Sequence, residues 1–147
     1  MDEILPREKE EEITERRVQV LVDTNIVIAY LQGDEHIVPL FAHAADGSID
    51  LAISVITEYE LLRYPAITTA EEIAILRLLG SIRVCSVERR TAQLASVLSR
   101  QYGGTHADLL IASTAIEHHI PLLTRNIRDF RKIKELNLLT EPPPLQD

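Results

Sequence analysis

The stretch Val18-Gln19-Val20-Leu21-Val22-Asp23-Thr24-Asn25-Ile26-Val27-Ile28-Ala29-Tyr30-Leu31 constrains the fold more than any other part of the chain. The apolar run before Asp23 reads as a strand covered on both faces, and the run after it as a helix committed to a core. Asp23 therefore falls at the carboxyl end of a central strand, the sheet edge at which open α/β folds bind ligands. A carboxylate buried there must be hydrogen-bonded, neutralised or bound to a cation, because an unpaired buried ion costs several kcal/mol. The alternative is that Asp23 simply N-caps the helix that follows it, a role aspartate fills well.

Strands alternate with helices through the rest of the chain. A second helix is expected over Asp34 to Ala45, closed by Asp46-Gly47, then a strand from Ile49 to Ser54 and a helix from Ser54 to Tyr64 that Pro65 stops. Thr69 with Glu72 three residues later reads as a capping box for a helix over Ala70 to Leu79, ended by Gly80. Ile82 to Val87 alternates as a strand, and a helix follows over Glu88 to Tyr102 before Gly103-Gly104. Thr105 caps a helix over His106 to His118, with Asp108 at the third position. Pro121 to Thr124, Arg128 to Lys134 and Leu136 to Leu139 are expected as a short strand, a basic helical turn and an edge strand. This order predicts an α/β fold with a central parallel sheet, right-handed crossovers and helices on both faces. We expect one domain over residues 18–139, preceded by a charged extension at 1–17 and followed by a Pro-rich tail at 140–147.

With 147 residues, one cysteine and 46% hydrophobic residues, the chain fits a single core without a disulfide framework. No run approaches the ~18 to 20 apolar residues of a membrane span, and the amino terminus is acidic, so a cytoplasmic protein is expected. The net charge of -8 argues at first against a nucleic-acid partner. Part of that excess lies in Met1 to Arg17, where acids outnumber bases seven to four. Part fits carboxylates gathered to hold a cation, which would invert the local sign and admit a phosphate.

Two further acids sit on interior faces. Asp108 shares a helix face with Ile111, Ala112 and Ala115, and is either a first-turn partner of the helix dipole or a ligand. In Thr57-Glu58-Tyr59-Glu60, the two glutamates lie about 200° apart on a helix, so at most one faces the crevice. Glu60 shares a side with Thr57, whose hydroxyl would orient it. One acid at a strand end and two on helices starting at the same edge form an all-oxygen set, suited to Mg²⁺ or Mn²⁺ rather than zinc.

The chain resembles the PIN-domain ribonucleases, and among them the VapC-type toxins of toxin–antitoxin pairs. The matching stretches are Val22-Asp23-Thr24-Asn25, Ile53-Ser54-Val55-Ile56-Thr57-Glu58-Tyr59-Glu60-Leu61, Asp108-Leu109-Leu110-Ile111-Ala112-Ser113-Thr114-Ala115, and Leu123-Thr124-Arg125-Asn126-Ile127-Arg128-Asp129-Phe130. The resemblance implies a PIN-like fold, a metal-dependent endoribonuclease, and Asp23, Glu60 and Asp108 as both the metal ligands and the catalytic acids. Thr24, Asn25 and Thr124 then fall on polar supporting positions. Many members carry a fourth acid near Asn126; here the nearest is Asp129, so either Asn126 or Asp129 completes the set. Arg125, Arg128 and Arg131 are candidates for phosphate contacts. Implied partners are RNA, a cognate antitoxin protein and a second copy of the chain in a homodimer; no membrane is implied. The dimer is also expected from Ile26 to Leu31 and Ala70 to Leu79, which offer more apolar surface than one small sheet can cover. A binding-only PIN-like domain with an incomplete metal site remains the alternative; a receiver-type signalling domain fits less well, since it would want paired acids after the first strand and a lysine after a late one, whereas Asp23 is followed by Thr-Asn and Thr124 by Arg125-Asn126.

Overall fold

A computed structural model describes residues 17–145. Apart from Arg17, the predicted extension lies outside the described residues, as do the last two residues of the tail. Five strands, β1 (Val18–Val22), β2 (Ile49–Ser54), β3 (Arg83–Cys85), β4 (Leu122–Leu123) and β5 (Leu138–Leu139), form one all-parallel sheet in the order β3-β2-β1-β4-β5. Between and after them run seven helices among the described residues: α1 (Thr24–Leu31), α2 (Val38–Ala45), α3 (Val55–Leu62), α4 (Thr69–Leu79), α5 (Arg89–Tyr102), α6 (His106–Glu117) and α7 (Ile127–Phe130).

The alternation of side chains along β1 explains its unbroken apolar run. Val20 and Val22 point into one core with Ile26, Leu40, Phe41, Ile53 and Leu61, under α1 to α4. Leu21 points into a second core with Leu98, Ile111, Ala112, Leu122 and Phe130, under α5 to α7. Both faces of the central strand are thus buried, as a parallel sheet requires. Within the first core Tyr30 stacks on Phe41 with ring centroids 4.0 Å apart. Leu145, in the tail, also packs on this core.

Several boundaries differ from the expected ones for local reasons. The helix expected from Asp34 begins only at Val38, because the Asp34 carboxylate accepts the His36 N–H at 2.9 Å and holds the chain in a turn. The helix expected to reach Tyr64 ends at Leu62, since Pro65 disfavours the helical conformation of the residue before it. Two consecutive threonines each have a glutamate three residues on, and Thr68 with Glu71 forms the capping box rather than Thr69 with Glu72. β3, β4 and β5 are two or three residues each, and helical structure after β4 is confined to Ile127–Phe130.

The strand order places the functional residues. From β1 the chain moves to one side through β2 and β3, then returns past both to lay β4 against the other side of β1. The order reverses between β1 and β4, and at such a switch point loops from the carboxyl ends part to leave a crevice. Asp23 follows β1 and Thr124 follows β4. The Asp23 N–H donates to the Leu123 carbonyl at 3.0 Å, which draws the two strand ends together.

Candidate active site

Asp23 is 5% exposed and lies where β1 turns into α1. Its backbone is extended and its Oδ1 accepts the Thr24 N–H at 2.8 Å, so it does N-cap the helix. Capping leaves Oδ2 free, and that oxygen accepts the Thr124 hydroxyl at 2.7 Å and the Asn25 amide at 3.3 Å. The two roles weighed for Asp23 are therefore compatible: one oxygen closes the helix and the other faces the switch point.

Thr124, fully buried, spends all of its hydrogen-bonding capacity here. Its proton goes to Asp23, and its oxygen accepts from the Asn25 amide at 3.2 Å and the Asn126 N–H at 3.0 Å. Asn25 Oδ1 in turn accepts the Arg125 N–H at 3.2 Å. On the other side, the Thr24 hydroxyl donates to Glu60 Oε1 at 2.7 Å and lies 3.0 Å from the Thr57 hydroxyl. A threonine has one proton, so the charge-assisted bond to Glu60 takes it and Thr57 completes the chain by donating to Thr24. This contact distinguishes Glu60 from Glu58: only Glu60 is tied to the helix that Asp23 caps.

Asp108 is at the third position of α6, its N–H held by the Thr105 hydroxyl at 3.1 Å, and its carboxyl is half-buried. Ile111, Ala112 and Ala115 on the same face are fully packed. Burial raises the Asp23 carboxyl above its ordinary value; Thr124 and the Thr24 N–H pull it back, and the charge of Glu60 adds to the rise. Burial also raises Asp108, followed by the charge of Asp23, with Thr105 opposing and Asp129 and Glu60 adding. These four acids thus repel one another across one crevice. Asp129 is exposed on α7, and Asn126 is half-buried with its N–H on Thr124. Among the described residues, no three His, Cys, Asp or Glu side chains are drawn around one point at metal-ligating distance. The donor set itself, carboxylates with hydroxyl and amide oxygens, suits a hard divalent cation.

The nearby cations divide into two kinds. Arg125 is paired with Asp34 at 2.8 Å, a residue that the sequence marked only as the start of a helix. Arg128 and Arg131 are exposed and make no ion pair among the described residues. Bordering Glu60, a groove of about 430 Å³ runs between α1, α3 and α4, lined by Ile28, Leu31, Leu61, Tyr64 and Ile75. It was not apparent from sequence, since its walls come from three separate helices.

This sheet order, with an acid at its switch point and two more on the helices beside it, defines a small parallel α/β domain with acids gathered at its ligand-binding edge. The chain belongs to the PIN-domain family, whose sequence model matches residues 20–136. It is similar to Ribonuclease VapC10 of Mycobacterium tuberculosis, 34% identical over 126 residues that cover 80% of this chain and 90% of that one. Ribonuclease VapC19 of the same organism is 29% identical over 128 residues, 84% of this chain and 98% of the relative. Among solved structures, a toxin–antitoxin complex from Klebsiella pneumoniae aligns with a TM-score of 0.68 and 27% identity, over 82% of this chain and 96% of that chain. VapBC2 from Rickettsia felis, bound to a DNA fragment from its promoter, aligns with a TM-score of 0.68 and 26% identity, over 83% and 98%.

Proposed function

We propose that the chain is a metal-dependent endoribonuclease and the toxin of a toxin–antitoxin pair. The observation that carries this reading is the buried Asp23 at the switch point, tied through Thr24 to Glu60 and raised, like Asp108, by burial and neighbouring charge. Family membership and the ribonuclease relatives support the reaction, and the toxin–antitoxin neighbours support an antitoxin as partner.

In this reading Asp23, Glu60 and Asp108 would hold a Mg²⁺ or Mn²⁺ ion, with Asn126 or Asp129 completing the set. When bound, such an ion would supply an acidified water and neutralise charge on the scissile phosphate, the chemistry of a hydrolysis that leaves a 5′-phosphate and a 3′-hydroxyl. The chain's own part is to hold the donors. Thr124 and Asn25 fix the rotamer of Asp23, while Thr24 and Thr57 fix Glu60. Arg125, Arg128 and Arg131 would meet RNA phosphates around the crevice. Purified protein free of antitoxin is expected to cleave single-stranded RNA in Mg²⁺ or Mn²⁺ and to stop on chelation, with Asp23→Asn inactive. Cleavage that persists in chelator, or full activity in Asp23→Asn, would overturn the reading in favour of a binding-only domain.

The same reading includes a homodimer. Ile28, Leu31, Ile73 and Leu76, on α1 and α4, are 39% to 50% exposed, an apolar surface that a second copy would cover. Sedimentation at tens of micromolar is expected to show a dimer, and a monomer there would remove this part, since that concentration fills even a micromolar interface. No described helix is long and apolar enough to cross a membrane.

A further inference from the structure

Asp34 belongs to none of the stretches from which the site was built, yet it is fixed on three sides. Helix α1 ends with Gly33 at φ +78°, its N–H on the Tyr30 carbonyl at 2.9 Å and the Asp34 N–H on the Ala29 carbonyl at 3.0 Å. This pair of bonds closes a helix end tightly and makes Asp34 a rigid continuation of α1. Its Oδ1 accepts the His36 N–H at 2.9 Å, and its Oδ2 accepts from Arg125 Nη2 at 2.8 Å. Arg125 is therefore gripped at both ends by one helix. Asn25, in the first turn of α1, takes its backbone N–H, and Asp34, just beyond the last turn, takes its guanidinium.

This arrangement draws the arginine from the Asn25 end of α1, beside Asp23, to the Asp34 end. A guanidinium has five N–H groups, and the bond to Asp34 occupies one of them. The Arg125 side chain is 46% exposed, so donors remain turned to solvent. We propose that Asp34 is a positioning residue that holds Arg125 extended along α1, so that the guanidinium receives an RNA phosphate flanking the one cleaved. This inference rests on the reading of the substrate as RNA. Holding a long side chain in its binding rotamer beforehand removes an ordering cost that a free arginine would meet on binding.

The sign of one measurement separates positioning from bulk charge. Asp34 is an acid near an incoming polyanion, so removing its charge would by electrostatics alone tighten RNA binding. Positioning demands the reverse. Binding is read by fluorescence anisotropy with a short fluorescein-labelled single-stranded RNA in chelator, so that affinity is measured without cleavage. The full chain is compared as wild type, Asp34→Asn, Arg125→Ala and the double variant. Asp34→Asn, whose side-chain oxygen still serves the His36 N–H, is expected to weaken binding about 2- to 10-fold. Arg125→Ala is expected to weaken it at least as much and to make the salt dependence shallower by about 0.7 in log–log slope, one single-strand phosphate contact. The double variant should be no weaker than Arg125→Ala, because Asp34 acts only through Arg125. Asp34→Glu, which keeps the carboxylate, should recover part of the loss, and it serves as the second variant if Asp34→Asn does not fold. In cleavage, Asp34→Asn should raise KM more than it lowers kcat.

Unchanged or tighter binding by Asp34→Asn, or additive losses in the double variant, would overturn the proposal. Wild-type protein that binds RNA with this pattern but does not cleave it in Mn²⁺ would sink the nuclease reading alone. Wild-type protein that neither binds the RNA in chelator nor cleaves it in Mn²⁺ would overturn both.

Discussion

Replacing Asp23 by asparagine separates the charge of this side chain from its shape, and the structure supplies both sides of the balance. The asparagine oxygen still accepts the Thr24 N–H and caps α1. Its amide nitrogen replaces Oδ2, where it meets two donors, the Thr124 hydroxyl and the Asn25 amide. Thr124 already accepts from Asn25 and the Asn126 N–H, so it cannot also accept from the new amide. Two hydrogen bonds are lost, those of the Thr124 hydroxyl and the Asn25 amide to Oδ2, at a cost of about 2–3 kcal/mol together. Against this stands the removal of a buried carboxylate, whose net penalty in proteins is several kcal/mol. The raised pKa of Asp23 indicates that burial outweighs its hydrogen bonds, each unit of elevation being worth about 1.4 kcal/mol. Loss of the Asp23 charge also relieves Asp108. In chelator at neutral pH, Asp23→Asn should therefore be more stable than wild type by on the order of 1–2 kcal/mol, and melt about 3–6 °C higher.

The pH dependence follows from the direction of the shift. An acid whose folded pKa is raised contributes its stability at low pH and loses it as pH rises through the folded value. The gap between variant and wild type should thus be full at neutral pH and close as pH falls through the raised value toward 3.8. Thermal melts followed by circular dichroism across this range measure it. An Asp23→Asn variant that melts below wild type at neutral pH, or a gap that widens on acidification, would refute the reasoning and show that the hydrogen bonds of Asp23 outweigh its burial.

Mg²⁺ or Mn²⁺ at about a hundred times its dissociation constant should add about 2.7 kcal/mol to wild-type stability, a rise of roughly 5–10 °C, while leaving Asp23→Asn unmoved; an equal rise in both chains would remove Asp23 from the ligand set. Thr124→Val strips the hydroxyl that serves Asp23, Asn25 and Asn126 together, and should cost about 2–3 kcal/mol by denaturant titration while further raising the Asp23 carboxyl. His119 closes α6 at φ +54°, a conformation that costs a non-glycine residue about 1–2 kcal/mol, so His119→Gly should gain roughly 0.5–1 kcal/mol after the entropy of the more flexible unfolded chain is deducted.

The alternation and spacing of apolar residues determined a good deal about this protein. They marked β1 as buried on both faces, set most helix positions, and singled out Asp23 as an acid out of place. The pairing of Thr57 with Glu60 on one side of α3 was legible as well, because helical periodicity alone determines which residues share a face. The choice between Thr68 and Thr69 as cap was not, since both satisfied the same local rule. Local pattern reports which way a side chain points, and it is silent about which strand lies next to which. Only the return of the chain from β3 to β4 beside β1 sets Thr124 against Asp23 across 101 residues, and only the packing of α1 beside α3 brings Thr24 to Glu60. The grip of Asp34 on Arg125, 91 residues apart, belongs to the same class. Each of these contacts joins segments that are silent about one another in sequence, because the sheet order, not local pattern, decides which loops share an edge.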